Sequence, residues 1–246
     1  MLKIFNFFRV LYSFFKFANA NDVVKFFNIH KSSKIFFSRK TKIDTANIEE
    51  NVSIDFFKGS LKKLTIGRGS YLSGELIVYG YNGTLQIGKY CSMADRLVLI
   101  CGESFHQSKR LSTYPFPFMS PFKNYDIKDK LFDSTSSFPE TKIIIGNDVS
   151  IGEDVLITKN VQIGNGSVIA AKSVLIHDVP PYAIVIGNPA TIVSYRYSKK
   201  EIEMIEKIKW WNWSTKKIIE NIHIFKKTGN ELNKELERII KNIYLV

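Results

Sequence analysis

Histidine is scarce in this chain, with four in 246 residues, and cysteine is scarcer, with two. Cys91 and Cys101 cannot build a disulfide framework, so a reducing compartment is expected and the cytoplasm is the expected location. His30, His106, His177 and His223 are too few and too scattered for a histidine-based metal centre, and no HExxH or CxxC pair occurs. A Walker phosphate loop and a GxSxG nucleophile elbow are missing too. The opening MLKIFNFFRVLYSFFKF is apolar, but Arg9 and Lys16 interrupt it, which is too broken a run for a bilayer span. Ala18-Asn19-Ala20 imitates a signal-peptidase site without the clean apolar stretch such a signal needs.

Acid is scarce at both ends. Residues 1–42 hold nine Lys/Arg against one Asp, residues 199–246 hold eleven against seven, and the middle is balanced at fifteen each. The whole net charge of +12 therefore lies at the termini. A neutral body argues against nucleic acid as a partner, because that would need a basic stripe on the folded domain. Basic ends suit an anionic membrane surface, with solvated tails as the alternative. On a helical wheel Asn6, Arg9, Ser13 and Lys16 share one side of the first segment, and Phe5, Phe7, Phe8, Leu11, Phe14 and Phe15 spread over the rest. Such an amphipathic helix would lie at the inner face of a membrane or pack on the protein itself.

What is plentiful is rhythm. From Ile145 the chain reads IGNDVS, IGEDVL, ITKNVQ, IGNGSV, IAAKSV, LIHDVP, with Ile or Leu at every sixth position through Leu175. Four residues after each stands a small or β-branched residue: Val149, Val155, Val161, Ser167, Ser173 and Val179. A fixed short period means a solenoid whose turns bury their apolar rows against one another. Each block is a short strand plus a corner, and three blocks close a triangular coil of parallel strands. Gly, Asn and Asp at the corners tolerate positive φ. An earlier array runs Ile66, Leu72, Val78, slips by three residues through YGYNGT, and resumes at Ile87, Met93 and Leu99. The expected organisation is a basic aromatic segment over 1–42, an all-β solenoid over 43–197 with an inserted loop at 102–141, and helices over 198–246. The loop carries Tyr114, Phe116, Phe118, Phe122, Tyr125 and Phe132, enough aromatic mass to dock. Ser198-Lys199-Lys200-Glu201 is a capping box opening a helix with Ile202, Ile205 and Ile208 on its face. Ser214 caps a second helix through about Phe225, and a third follows the break at Thr228–Asn230. These helices are expected to cap the open edge strand of the solenoid.

His106 alone among the histidines sits where a regular coil ends and the long loop begins, the place for a residue held out by a rigid scaffold. Imidazole is well tuned to take a proton near neutral pH. Cys101, five residues earlier, raises the alternative of a thiol nucleophile, against which stands its strand position two after the inward Leu99.

With these features placed, the chain resembles the hexapeptide-repeat acyltransferases, and within them the branch of xenobiotic acetyltransferases and capsular or lipopolysaccharide O-acetyltransferases. The resemblance covers roughly residues 60–215. It is carried by IGNDVSIGEDVLI, by AAKSVLIHDVPPYAIVIGNPATIV, by HQSKRLSTYPF in the loop and by the late WWNW. It implies a left-handed parallel β-helix, a homotrimer, and acetyl-CoA as co-substrate, with active sites between neighbouring prisms and no metal. His106 matches the family's catalytic histidine, a general base for an acceptor hydroxyl in direct transfer. Ser112, Thr113 and Tyr114 would wall the acceptor pocket together with Ser150, where relatives often carry Trp. Ala170, Ala171 and Lys172 and the turn Gly187, Asn188, Pro189, Ala190 would line the coenzyme channel, and Arg196 or Lys199 would meet its phosphates. Relatives often carry Gly at the position of Lys172, so this chain places a charge beside that channel. The expected activity is O-acetylation of a bacterial surface glycan or its sugar precursor, with antibiotic O-acetylation as the runner-up. A non-catalytic β-helix scaffold is the alternative of another class.

Overall fold

The structure, a computed structural model, describes residues 24–38, 41–80, 82–101, 111–114, 116, 119–125 and 140–244. Its strands run in the order β1 (Val24–Ile29), β2 (Lys34–Phe37), β3 (Lys42–Ile48), β4 (Ser53–Ile66), β5 (Tyr71–Tyr79), β6 (Gly83–Ile87), β7 (Ser92–Met93) and β8 (Leu97–Ile100). After the loop come β9 (Thr141–Ile145), β10 (Ser150–Ile151), β11 (Leu156–Ile157), β12 (Gln162–Ile163), β13 (Val168–Ile169), β14 (Val174–Leu175), β15 (Ala183–Gly187) and β16 (Ala190–Tyr195).

Parallel pairing sorts these strands into three faces of a prism of about seven turns. The first face stacks β1, β3, the end of β4, β6, β9 and β12. On the second lie β2, the start of β4, the start of β5, β7, β10, β13 and β15. The third stacks the middle of β4, the end of β5, β8, β11 and β14. The hexad rhythm is the reason. Ile66, Ile87, Ile145 and Ile163 fall in register on the first face and Leu72, Met93, Ile151 and Ile169 on the second, all buried. Each such side chain removed from water stabilises by about 1.5–3 kcal/mol.

Left-handed backbone at the corners follows a column rather than a residue type. Asn51, Gly69, Tyr90, Asp148, Gly166 and Tyr182 all take positive φ at the first corner, between the first and second faces. Arg96, Asp154 and Lys172 do so at the second corner. The glycines of the Ile-Gly pairs serve another need. A Cβ on Gly88 would stand 2.3 Å from the Gly146 oxygen, and one on Gly164 would stand 2.4 Å from the Pro181 nitrogen. They are present because stacked backbones approach too closely there for any side chain. Gly67 and Gly146 meet the same constraint.

Three expectations change. The solenoid begins upstream of residue 43, because Val24 pairs with Ile43 and Lys34 with Ser53, adding a coil. That coil, VKFFNI through KIFF, has no Ile-Gly corner and so carries no hexad signature. The amphipathic helix expected within residues 1–17 lies outside the described residues. The tail consists of α1 (Lys199–Ile208), α2 (Thr215–Glu220) and α3 (Gly229–Tyr244), with 3-10 turns at Trp210–Asn212 and Ile222–Lys226. The second helix therefore breaks at Asn221 instead of running to Phe225. The capping box at Ser198 and Glu201 forms as expected, and α1 buries Met204, Ile205 and Ile208.

The third change is where the tail lies. It runs along the first corner, across several coils, instead of over the open edge strand. Arg68 donates to the Trp211 and Trp213 carbonyls at 3.2 and 2.6 Å, Lys89 to Asn212 Oδ1 at 3.1 Å, and Asn165 to Glu206 Oε1 at 3.0 Å. Tyr90 stacks on Trp210 and Tyr182 joins the core of the tail, so left-handed tyrosines stand where their rings are needed. The strain of a non-glycine residue there costs about 1–3 kcal/mol, which ring burial offsets. The upper edge of β15 is covered by β16, which turns back antiparallel.

Candidate active site

The loop leaves and rejoins the prism at the third corner, where the third face meets the first. Cys101, just past β8, donates its N–H to the Tyr79 carbonyl at 2.7 Å, and Thr141 opens β9. Both ends converge on Gly83, whose added Cβ would meet Cys101 Cβ at 2.5 Å and Thr141 Oγ1 at 3.4 Å. Glu140 secures the return: it accepts from Lys62 Nζ at 2.6 Å and from Thr84 Oγ1 at 2.7 Å. Those two donors hold its carboxyl below the usual range. Position Ser92 pairs with Ser150 at a separation of 58 residues, where Ser150 and Val168 lie 18 apart. The loop is thus an excursion that returns the chain to the same register.

His106 lies outside the described residues. The described part of the loop shows Ser112, Thr113 and Tyr114 exposed, with Ser112 Oγ accepting from the Tyr114 N–H at 3.1 Å. Tyr114, Phe116 and Phe122 form an edge-to-face series with centroids 4.9 and 5.0 Å apart. Such pairs add to local turns in which the Phe116 N–H donates to the Tyr114 carbonyl and the Tyr125 N–H to the Phe122 carbonyl, each at 3.0 Å. His30, His177 and His223 are all exposed, and His30 pairs only with nearby Ser32.

The thiol alternative does not survive. Cys101 and Cys91 are fully buried, and burial pushes both thiols up to about 11. Native protein is expected to leave both unreacted with a thiol-specific chromogenic reagent over minutes and to release two equivalents on unfolding. Rapid reaction of either cysteine in the folded state would reopen the question.

The residues expected along the coenzyme channel fall into two groups. Ala170–Lys172 and Gly187–Ala190 are brought together at the second corner. Ala170 donates its N–H to the Val185 carbonyl at 2.9 Å, and the Gly187 N–H reaches Ser173 Oγ at 3.3 Å. Lys172 does not leave a free charge there. Its ammonium is 2.8 Å from Asp154 Oδ2, and Arg96 binds the same carboxylate, holding it well below the usual range. With Asp95 and Glu153 alongside, this corner is a ladder of partly exposed, mutually neutralising charges. Lys199 is exposed at the start of α1.

Arg196 stands apart, at the first corner. It donates to Asp148 Oδ2 at 3.0 Å and to the Gly166 carbonyl at 2.7 Å, with its guanidinium over the rings of Tyr182 and Tyr197. Burial pushes the Asp148 carboxyl up despite this partner. Arg196 thereby pins the end of β16 to the corner. Arg196→Ala is expected to cost about 2 kcal/mol in denaturant unfolding, the scale of a lost charged hydrogen-bond set. An unchanged midpoint would refute the clamp. A cavity of about 290 Å³ beside it, lined by Tyr197, Trp210, Trp213 and Leu236 among others, belongs to the seam between tail and prism and is at the corner away from the loop.

The third face spans the interval between loop and second corner, and its outward side is apolar. Ile77, Val98, Leu156 and Val174 form one half-buried row, with Tyr79, Ile100 and Ile176 exposed beside it. On the second face Ser92 and Ser150 stand adjacent and outward between Tyr71 and Val168. The Arg68 clamp on the tail was not foreseen. Its signal was the polar third position of the hexads at the first corner, Arg68, Lys89, Asn147 and Asn165.

Comparison with known proteins agrees with this architecture. The family model "Bacterial transferase hexapeptide (six repeats)" matches residues 142–177. The chain is 37% identical over 141 residues to a "Probable macrolide acetyltransferase" of Lysinibacillus sphaericus, covering 57% of this chain and 76% of that protein. It is 31% identical over 183 residues to a "Chloramphenicol acetyltransferase" of Klebsiella aerogenes, covering 66% of this chain and 85% of that one. Among solved structures, a hexapeptide transferase family protein from Anaplasma phagocytophilum superposes with TM-score 0.46 at 16% identity, covering 77% of this chain and 92% of that one. The chain belongs to the hexapeptide-repeat acetyltransferases. It is an acyltransferase built on a parallel β-solenoid.

Proposed function

We propose that the protein moves an acetyl group from acetyl-CoA to a hydroxyl of a bacterial surface polysaccharide or of the sugar precursor from which it is built. His106 acts as general base. It takes the proton of the acceptor hydroxyl as that oxygen attacks the thioester carbonyl, a C–O bond forms, the C–S bond breaks, and the imidazolium returns the proton to the leaving thiolate. Both substrates are bound at once, and no acyl-enzyme forms. Negative charge developing on the carbonyl oxygen is met by a backbone N–H. The remaining requirement is alignment of two reactants in a groove.

The observation that carries the site is the third face. The loop that holds His106 leaves at one edge of it, and Ala170–Lys172 with Gly187–Ala190 occupy the other. About six residues of strand separate the two, roughly 20 Å at 3.3 Å per residue. A second copy packed against the exposed apolar row would bring one chain's loop to the other chain's second corner. A homotrimer with sites between protomers satisfies that need.

For the acceptor, the adjacent outward hydroxyls of Ser92 and Ser150 give a small polar floor, which suits a hydroxyl-rich acceptor. The basic, aromatic first segment supports a place at the inner face of the membrane, where lipid-linked sugars are assembled. A second reading, antibiotic O-acetylation, is favoured by the names of the relatives above 30% identity. Thiol release from acetyl-CoA, measured with acidic polysaccharides, neutral oligosaccharides, chloramphenicol and a macrolide, separates the two. Glycan-dependent release supports the proposal, and release with a drug alone replaces it by the second reading. Absence of both release and coenzyme binding would leave a scaffold.

A further inference from the structure

The stretch from Lys209 to Lys227 carries five lysines, Lys209, Lys216, Lys217, Lys226 and Lys227, against one acid, Glu220. It folds as the 3-10 turn at Trp210–Asn212, α2, and the 3-10 turn at Ile222–Lys226. Its apolar residues point two ways. Trp211, Trp213 and Ile224 are buried in the core of the tail, and Ile218 packs against that core. Ile219 and Ile222 are turned outward with 64% and 60% of their surface exposed, and Phe225, three further on, packs edge-to-face on Trp210 at 4.9 Å yet keeps 45% exposed. Ile219 and Ile222 have no place in the tail core, and Phe225 gives it only one side of its ring, so the exposed apolar surface needs another explanation.

The charges around these three residues indicate what would cover them. Lys209, Lys216, Lys217 and Lys226 are exposed. Lys216 has only a loose partner, Glu220 at 3.9 Å, and Lys217 lies over the Trp213 ring at 4.8 Å. Three large apolar side chains rimmed by cations form a surface that an uncharged protein face would satisfy only in its middle. An anionic bilayer satisfies both parts, with acyl chains receiving the apolar residues and headgroups meeting the ammonium groups.

We propose that the outward side of the Lys209–Lys227 segment is a docking surface for an anionic lipid membrane. It is independent of the acyl-transfer reading and distinct from the first segment of the chain. Docking would hold the prism beside the membrane by its first corner.

The test uses the full chain. Because Cys91 and Cys101 are fully buried, His223→Cys can be labelled selectively with an environment-sensitive fluorophore. The labelled protein is titrated with vesicles of phosphatidylcholine alone and with about one-third phosphatidylglycerol. The expected result is a blue shift confined to the anionic vesicles, and partition reduced about tenfold by about 0.5 M salt, which screens the lysines. The double variant Ile219→Ser/Ile222→Ser should lower partition about tenfold, and Lys216→Glu/Lys226→Glu, which touches no apolar residue, should do so as well. Circular dichroism melts confirm that each variant is folded. Partition unchanged in both double variants would assign membrane binding to the first segment and overturn the proposal. Equal binding to neutral vesicles would overturn it too. A blue shift that grows with protein concentration in the absence of lipid would show that a second copy covers this surface instead.

Discussion

Replacing His106 with alanine is expected to lower the rate of acetyl transfer about 10²–10⁴-fold, the usual worth of a positioned general base. The loss should fall on kcat, since an imidazole that acts on the acceptor proton contributes little to holding the coenzyme. Coenzyme affinity, measured by calorimetry, should change less than about threefold if the base acts only in the transition state. A residual rate above the uncatalysed reaction is expected, because alignment and the oxyanion donor remain. The described anchors of the loop lie at its two ends. Its ends are held by the Cys101 and Thr141 backbones packed on Gly83 and by Glu140 bridging Lys62 and Thr84. Folding of the variant should therefore be intact, and a melt identical to wild type is the control. A loss smaller than tenfold would remove His106 from the mechanism and return attention to the scaffold reading.

The second large effect is on stability. Gly88→Ala should destabilise the prism by about 2–3 kcal/mol, towards the upper end of the range for overpacking a tight core. The added methyl would stand 2.3 Å from the Gly146 oxygen and 2.8 Å from the Asn147 nitrogen, both backbone atoms that cannot swing aside. Those atoms also belong to the inter-coil ladder, in which the Gly88 N–H donates to the Ile145 carbonyl at 2.8 Å and the Gly146 N–H to the Ile163 carbonyl at 2.8 Å. Relief of the clash would stretch those bonds. A useful contrast is Gly229→Ala, where nothing lies within 4 Å. Gly229 has φ +53, so that substitution costs only the left-handed backbone penalty, about 1 kcal/mol. If the two variants shift the unfolding midpoint equally, close backbone approach is not what selects glycine at the Ile-Gly corners.

Much of the prism was legible because its rule is local. Six residues per face and an aliphatic residue at a fixed place in each block give the register of Ile145, Ile151, Ile157 and their successors without knowledge of the rest of the chain. The three-residue slip at Tyr79–Thr84 was legible for the same reason, and pairing bears it out, with Leu64 opposite Leu85 at a separation of 21. The first coil was hidden because aromatic strands without Ile-Gly corners resemble any apolar segment. The placement of the tail was hidden as well. The amphipathic face of α1 shows that the helix packs, but the choice of the first corner depends on the Arg68 guanidinium reaching two tail carbonyls, a contact between residues 143 and 145 positions apart. Arg196 illustrates a further limit. A cation near the end of the last coil suggests phosphate binding from sequence, and only its partners reveal that the charge is engaged by Asp148 and Gly166.

The register across the loop has a consequence for how such a protein can change. The coils on either side of the excursion stack as though nothing intervened, β7 on β10 and β8 on β11, and its two ends stand side by side at Gly83. The prism therefore imposes almost no demand on what lies between them, either in length or in composition. Selection can lengthen that insert, or rewrite it around His106, while the coils beneath keep folding as before. If the insert walls the acceptor as proposed, diversification of acceptor choice is separated from maintenance of the frame, and a lineage could exchange one target for another by editing one contiguous stretch around a retained histidine.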